Sequence, residues 1–328
     1  MSQLDLFGGP PPIEPPPYPA DLTALGAALP PDLHLATCSW TYPGWAGHLY
    51  AGRPTESALV ERGLSTFARH PLLRGVSLDR GLYAPLSASV LAGFAEQVPR
   101  HFRFWIKAHE HITLARFPDL QRHGEHRDQP NPRWLDAAYA TDAFVGPALA
   151  GLSARAGPLL FQLSAQHASE LPPPAFAERL HRFLDALPKG PLYAVELRDS
   201  RLFLPIYAEA LAAAGAVHCY TVHPAMPDLD IQRLRLPAVH LPALVLRWSL
   251  APDHTYVTAD RTFAPFDRLK RPHPTHRKLI ANLCRQAAAR GQPIHIAVSN
   301  HAEGCAPLSI VELARMLVDA PTPTAAIA

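Results

Sequence analysis

The chain has 328 residues, 48% of them hydrophobic and 18% charged, and a formal net charge of +2. The apolar fraction supports a large core, and so small a charge does not by itself indicate a nucleic-acid partner. No apolar run reaches the roughly 20 residues that a membrane span needs, and the first residues lack the features of a signal peptide. The composition therefore predicts a cytoplasmic protein without membrane contact.

The four cysteines are widely separated and form no CxxC pair, which excludes a disulfide framework and a thiolate zinc site. Cys305 is the one that lies close to other polar residues, in the segment SNHAEGCAPLS. No base is evident for it, so we interpret it as an inert small residue.

The first 30 residues are rich in proline and include the block PPPIEPPPYP. Proline rings fix the backbone and donate no hydrogen bonds, so this block is expected to be extended or polyproline-like. We predict three parts: a flexible tail over residues 1–30, a barrel domain over residues 31–320 and a disordered C-terminus over residues 321–328.

After the tail, short apolar runs recur, and most precede an Ala-rich stretch with helical spacing. Alternating strands and helices indicate a parallel sheet, and eight such units favour an α/β fold of the closed (β/α)8 TIM-barrel type over an open doubly wound sheet. No GxGxxG or P-loop turn supports the open sheet. The predicted strands are 33–38, 75–79, 102–108, 159–163, 193–197, 217–221, 244–247 and 294–298. The predicted helices are 56–70, 87–97, 134–154, 174–186, 204–214, 275–290 and 309–318.

In a barrel of this type the loops that follow the strands converge at one end, so the residues that end the strands form the site. Lys107, Glu196 and Arg247 lie between apolar neighbours, and a buried charge needs a partner or a ligand. Several cations at one mouth suit a phosphate or carboxylate. The alternative is a structural Glu-Arg-Lys network that closes the barrel. We assign Glu196, Lys107, Arg247 and Asn300 to catalysis, with Glu196 as a general base or metal ligand, and Arg198 and Gln162 to substrate binding.

Histidines gather after the third and seventh strands, which is compatible with a divalent-metal site. None shows HExxH or another defined ligand spacing, so the identity of any metal stays open. We interpret most of them as solvated loop residues or substrate contacts, and we assign His109 to substrate binding. The residues concerned are His109, His111, His123, His126, His273 and His276.

The loop after the seventh strand is basic, with six Lys or Arg and three Asp between Asp253 and Lys278. Aromatic residues lie nearby, and such a loop fits the backbone and bases of a polyanion. We therefore assign Arg268, Lys270 and Arg271 to substrate binding. The alternative is a basic loop that is only solvated.

Five segments of the chain form a recognisable series: TCSWTYPGW (37–45), IKA with IT (106–108 and 112–113), LFQL (160–163), AVELR (194–198) and SNHAEGCAPL (299–308). Together they resemble the DUF72 family, which has a TIM-barrel fold and an uncharacterised activity. The resemblance spans about residues 36–314 and implies the same barrel. Trp40 and Tyr42 lie in the first segment, and we assign them to substrate binding.

The chain departs from the family pattern at the barrel mouth. In the second strand a Glu and an Asn of the family are replaced by Ser77 and Asp79, and one Asn of the closing segment is Ser299. The His-Gly that follows the seventh-strand Arg reads Trp248-Ser249. The resemblance therefore implies the barrel but not an unchanged active site.

Residues 3–7 resemble the pentapeptide that binds the bacterial sliding clamp, Gln-Leu-Ser/Asp-Leu-Phe, at every position. Leu6 and Phe7 suit an apolar pocket, Leu4 adds contact, and Gln3 suits a small polar one. The Pro-rich tether that follows would keep the motif accessible. We predict that Gln3, Leu4, Asp5, Leu6 and Phe7 bind the clamp, which would associate the protein with the nucleoid.

Three functions remain open. The first, which we prefer, is a clamp-associated DNA-processing or DNA-repair enzyme, nuclease-like, that hydrolyses phosphodiester bonds at the barrel mouth. The second is an enzyme on a small phosphorylated or carboxylated metabolite, such as a sugar phosphate. The third is a non-catalytic adaptor that binds DNA or protein.

Overall fold

The structure, a computed structural model, describes residues 11–165, 171–236 and 241–318. Within these residues, eight parallel strands follow one another around a closed barrel in sequence order. The prediction of a (β/α)8 TIM barrel is confirmed. The strands are β1 (Leu33–Thr37), β2 (Leu73–Leu78), β3 (Arg103–Lys107), β4 (Ala156–Leu163), β5 (Tyr193–Leu197), β6 (Val217–Val222), β7 (Leu244–Trp248) and β8 (Ile294–Val298).

Helices cover the outside of the barrel, and no helix of the described chain is both long and apolar enough to cross a membrane. The helix predicted over 134–154 is divided by a π-helical turn, Thr141–Val145, which precedes Pro147. Proline lacks the amide hydrogen of a regular helical turn, which accounts for the break. The helices are α1 (Ala20–Ala28), α2 (Glu56–Phe67), α3 (Ala88–Ala95), α4 (Glu110–Thr113), α5 (Ala137–Ala140), α6 (Gly146–Leu152), α7 (Pro173–Ala186), α8 (Pro205–Ala214), α9 (Leu229–Arg235), α10 (Tyr256–Phe263), α11 (Pro274–Ala288), α12 (Asn300–Glu303) and α13 (Ala306–Val318).

The barrel closes where β1 pairs with β8, in unbroken register from Leu33 opposite Ile294 to Thr37 opposite Val298. Both strands are buried along their whole length. Strands that are covered on both faces read as nearly continuous apolar runs, which is why the sequence pattern located them. The main core lies between the strands and the helices and includes the large rings of Phe67, Phe104 and Phe161.

Part of the predicted flexible tail is corrected by the structure, because residues 11–19 lie against α2. The carbonyl of Ile13 accepts a hydrogen bond from the Thr66 hydroxyl, and the ring of Tyr18 packs edge-on against His70, 5.1 Å between centroids. Prolines remove backbone donors but leave carbonyl acceptors, so a Pro-rich segment can still be bonded to a helix. The clamp-like motif at residues 3–7 and the predicted disordered C-terminus lie outside the described residues.

The rest of the predicted tail forms α1, whose Leu22 and Leu25 pack on the core. Arg74, in β2, holds the end of this helix. Its guanidinium donates to the carbonyl of Gly26 at 3.0 Å and to that of Pro30 at 2.5 Å. The last carbonyls of a helix have no partner within the helix, and Arg74 donates to one of them, that of Gly26, in place of water.

We predict that Arg74→Met lowers the free energy of unfolding by about 2 kcal/mol, since charge-assisted hydrogen bonds to the carbonyls of Gly26 and Pro30 are lost. Urea denaturation followed by circular dichroism measures the change. The exposed Arg53 provides a matched control, and Arg53→Met should change stability by less than about 0.5 kcal/mol. Equal stability of both variants would contradict the role assigned to Arg74.

Candidate active site at the barrel mouth

Alternate residues along each strand point into the barrel, and the two layers nearest the carboxyl ends of the strands define the site. The lower layer is a small-residue and apolar plug made of Ala36, Trp105, Leu160, Ala194, Val217, Cys219, Val245 and Ala297. The position two residues later on most of these strands carries a polar or ionisable side chain. These residues are Cys38, Lys107, Gln162, Glu196, Thr221, Arg247 and Ser299. Because side chains alternate with period two, the polar layer lies above the plug, at the carboxyl ends of the strands.

Glu196 is fully buried, and both of its carboxylate oxygens are bonded. Oε2 accepts from Arg247 Nη1 at 2.8 Å, and Oε1 accepts from the Thr221 hydroxyl at 3.2 Å and is ion-paired with Arg198. Burial raises the pKa of Glu196, but Arg198, Arg247 and Lys107 lower it by more, to about 2. The carboxylate therefore stays ionised at neutral pH and is a very weak base.

Arg247 connects four strands of the barrel. Besides Glu196 on β5, its Nη1 donates to Gln162 Oε1 on β4 at 3.2 Å. Its Nη2 lies 3.4 Å from both carboxylate oxygens of Asp79, which follows β2. The planar guanidinium donates in fixed directions, so these partners set its orientation.

A cavity of about 490 Å³ lies above this network. Its polar lining includes Asp79, Lys107, Gln162 and Arg247. Asp79 is the more accessible carboxylate, with 40% of its side chain exposed, whereas Glu196 does not line the cavity. The other lining residues are Cys38, Ser39, Trp40, Thr41, Tyr42, Glu56, Ser77, Leu78, Arg80, Leu82, Tyr83, Ser249, Tyr256, Ser299 and His301.

Lys107 is buried, and its ammonium makes no hydrogen bond or ion pair to any residue in the described part of the chain. Burial lowers the pKa of Lys107, and the neighbouring Asp79 carboxylate opposes that shift while Arg247 adds to it. A buried amine that faces a cavity with its hydrogen-bonding capacity unused is suited to bind an anion or a carbonyl compound.

Cys38 lines the same cavity, 3.9 Å from Arg247 Nη2. Burial raises the pKa of this thiol to about 11, although Arg247 opposes the shift. The side chain is therefore a neutral thiol at neutral pH, which is a poor nucleophile.

The family described as "Protein of unknown function DUF72" matches residues 34–326. The chain belongs to the DUF72 family. DUF72 proteins of known structure from Enterococcus faecalis and Thermotoga maritima share the fold, with 17% and 16% identity and TM-scores of 0.58 and 0.59. The first alignment covers 88% of this chain and 96% of the other, and the second covers 87% and 98%. No curated protein matches the chain.

The DUF72 barrel brings five of the predicted site residues to the cavity wall. They are Trp40, Tyr42, Lys107, Gln162 and Arg247. Trp40 is held by its indole nitrogen, which donates to the carbonyl of Leu59 at 2.9 Å. Arg198 does not line the cavity and instead lies beside Glu196, with its Nη2 donating to Ser249 at 3.3 Å.

Asn300 also lies outside the cavity lining. Its Oδ1 accepts from Trp45 Nε1 at 3.1 Å and from the amide of Ala306 at 2.9 Å. The side chain thus connects the loop after β1 to the start of α13. Its predicted place in catalysis has a structural alternative, since a buried asparagine bonded in this way supports the loops around the site.

The histidine after β3 lies apart from the cavity as well. His109 is buried, with its ring edge-on to Tyr139 at 5.4 Å. His123 lies 3.5 Å from the carboxylate of Glu110, and Phe117 packs on its ring. Among the residues that the structure describes, no three His, Cys, Asp or Glu side chains group as ligands for a metal ion.

Two of the three cations assigned to the basic loop are bonded within the loop region. Lys270 Nζ donates to the carbonyls of Thr262 at 3.1 Å and Ala264 at 2.5 Å. Arg271 is ion-paired with Asp253. Arg268 is exposed, and none of the three lines the cavity. The loop cations therefore serve first to hold the loop itself.

The cavity wall also carries Asp79, Ser299 and His301, which are not among the site residues that the sequence predicts. Asp79 follows Ser77 by two residues, and the Ser77 hydroxyl lies 3.5 Å from its carboxylate. The strand period would have placed both side chains on the inner face. Asp79 therefore supplies a carboxylate at the mouth end of β2.

We predict that Glu196→Gln lowers the free energy of unfolding by about 3–5 kcal/mol, because two buried arginines lose their counter-charge. The exposed Glu209 serves as the control, and Glu209→Gln should cost less than about 0.5 kcal/mol. Thermal and urea unfolding measure both. A Glu196→Gln variant with wild-type stability would contradict the anchoring role of this carboxylate.

The stability difference between the wild type and Glu196→Gln should depend on pH. The pKa of Glu196 falls on folding from its ordinary 4.5 to about 2, so its ionisation stabilises the fold fully above pH 4.5. That stabilisation is lost as the pH drops from 4.5 towards 2. The difference in unfolding free energy between wild type and Glu196→Gln should therefore shrink over this interval. A constant difference would exclude Glu196 as its source.

Proposed function

We propose that this DUF72 protein is an enzyme that acts on a small metabolite carrying a phosphate or carboxylate group. The observation that carries the proposal is that the largely buried side chain of Lys107 lines the cavity next to Arg247 and makes no hydrogen bond or ion pair in the described chain. Lysine offers a point charge, and the Arg247 guanidinium beside it is held in a fixed orientation by Glu196. An anionic group of the substrate would complete this arrangement.

The size of the cavity supports a small substrate. Its volume of about 490 Å³ lies within the range of about 300–1,000 Å³ that is usual for small-molecule sites. Hydroxyl groups of Ser39, Tyr42 and Tyr256 line the wall and could bond the uncharged part of a metabolite. Asp79, a half-exposed carboxylate on the cavity wall, is placed to accept a proton or a hydrogen bond from a substrate hydroxyl.

We predict that inorganic phosphate raises the melting temperature of the wild-type protein by about 5 °C at about 100 times its Kd. Lys107→Met should weaken phosphate binding at least about tenfold, because a charge-assisted hydrogen bond is lost. Thermal shift at constant ionic strength, adjusted with chloride, provides the measurement.

Lys189 provides the matched control. It is exposed, precedes β5 at the opposite end of the barrel and pairs with Asp185 at 2.8 Å. Lys189→Met should bind phosphate as the wild type does. Equal phosphate binding by Lys107→Met and the wild type would remove the basis of the proposal.

A second candidate is the clamp-associated DNA-processing enzyme, which the motif at residues 3–7 favours. Pro11, the first described residue, accepts a hydrogen bond from Arg62 of α2 at 2.5 Å, and Glu56 at the start of α2 lines the cavity. A clamp that held this motif would bring the protein to DNA. DNA would then be the source of the phosphate group.

For this candidate we predict that immobilised bacterial sliding clamp captures the full chain and does not capture a chain that lacks residues 1–9. A full-length variant with Leu6→Ala and Phe7→Ala should behave like the deletion, since both apolar anchors are removed. Size-exclusion chromatography of the purified partners gives an independent measurement. Equal capture of all three proteins would exclude the motif as the contact.

A further inference from the structure

At the rim of the cavity, a serine and a histidine that follow β8 are hydrogen-bonded in a row with an aspartate of α10. The Ser299 hydroxyl lies 3.1 Å from His301 Nδ1, and His301 Nε2 lies 2.7 Å from the carboxylate of Asp260. Ser299 and His301 both line the cavity that holds Lys107. Asp260 comes from α10, so the group is assembled from two separate segments of the chain.

These distances satisfy the requirement for an activated nucleophile, in which a base is bonded to the hydroxyl and a third group orients the base. Asp260 accepts the hydrogen of Nε2, which leaves Nδ1 as the acceptor for the Ser299 proton. Two aromatic rings fix the imidazole from the side. The Tyr256 and Phe266 rings lie edge-on to His301 at 5.5 and 5.6 Å.

Ser299 also caps α12, where its oxygen accepts from the amide of His301 at 3.1 Å. A cap uses the hydroxyl as an acceptor and leaves its proton free, so the cap and the bond to Nδ1 are compatible. Helix capping alone would account for a serine at position 299. It would not account for the His301 imidazole, which is bonded to a carboxylate on another helix.

We propose that Ser299 is a nucleophile for acyl transfer, that His301 is its general base and that Asp260 orients His301. The substrate would be a small carboxylic ester or thioester that carries an anionic group. This substrate class rests on the proposed function, because Lys107 and Arg247 would hold the anionic group in the same cavity.

The reaction needs only the substrate and water. Ser299 Oγ attacks the acyl carbon as its proton passes to His301 Nδ1, and the ester C–O or thioester C–S bond breaks as His301 returns that proton to the leaving group. Water then attacks the acyl-serine, with His301 again accepting and returning one proton. The products are a carboxylic acid and an alcohol or thiol, and Ser299 is restored.

Diisopropyl fluorophosphate, a small neutral probe, tests the nucleophile in the full chain. Attack by Ser299 Oγ on phosphorus forms an O–P bond and breaks the P–F bond, so that fluoride leaves while His301 takes the hydroxyl proton. Mass spectrometry of peptides locates the adduct. We expect a single dialkylphosphoryl adduct on Ser299 of the native protein and none after thermal unfolding. His301→Gln should slow labelling by about 100-fold or more.

The variant Ser299→Asn distinguishes the proposed role of Ser299 as a nucleophile from its role as a helix cap. Asparagine caps helices as well as serine does, so this variant keeps the cap while it removes the hydroxyl. We expect its melting temperature to match the wild type and its labelling to be absent. Asp260→Asn should slow labelling less than His301→Gln, because Asp260 is largely exposed.

No adduct on Ser299 of the native protein, or a labelling rate that His301→Gln leaves unchanged, would overturn the proposal. The probe carries no charge and does not need the anion site. Labelling of Ser299 together with an absence of phosphate binding would therefore contradict the proposed function and its anionic substrate class, but would support the nucleophile.

Discussion

The carboxylate of Glu196 anchors the two arginines at the mouth of this barrel. It is fully buried on β5, with Arg247 and Arg198 on its two oxygens. Removing charges from water is costly, and the pairing compensates only because the Thr221 hydroxyl and both guanidinium groups satisfy the carboxylate. This fixed anion allows Arg247 to remain charged at the floor of the cavity, where it contacts β4 and Asp79. Without it, the cavity would lose the orientation of its central cation.

Lys107 differs from Arg198 and Arg247, because its side chain lines the cavity and makes no ion pair or hydrogen bond within the described chain. A protein rarely leaves a buried amine unbonded unless a ligand or water completes the site. In the function that we propose, the cations around the cavity hold an anion, while Asp79 and the Ser299–His301–Asp260 group would supply acid–base and nucleophilic chemistry at the same mouth. This division of roles is usual for a TIM barrel, in which binding and reacting groups come from different strand ends.

The sequence predicted the barrel well, because strands covered on both faces appear as short apolar runs, and turn residues separate one run from the next. It also located Lys107, Gln162 and Arg247, since a polar residue that ends such a run points into the barrel mouth. It did not distinguish Glu196, which lies beneath the cavity, from Asp79, which faces it, because that difference depends on which partners surround each carboxylate. The bonding of Asn300 to Trp45, 255 residues away, and the docking of residues 11–19 on α2 are likewise long-range contacts that no local pattern encodes.

The account depends most on the claim that Lys107 is kept unpaired for a substrate anion. A crystal structure determined in the presence of inorganic phosphate tests it most directly. We predict a phosphate with one oxygen about 2.8 Å from Lys107 Nζ and a second contact to Arg247. An ammonium of Lys107 that is ion-paired with Asp79, in a cavity that holds only water, would contradict the claim.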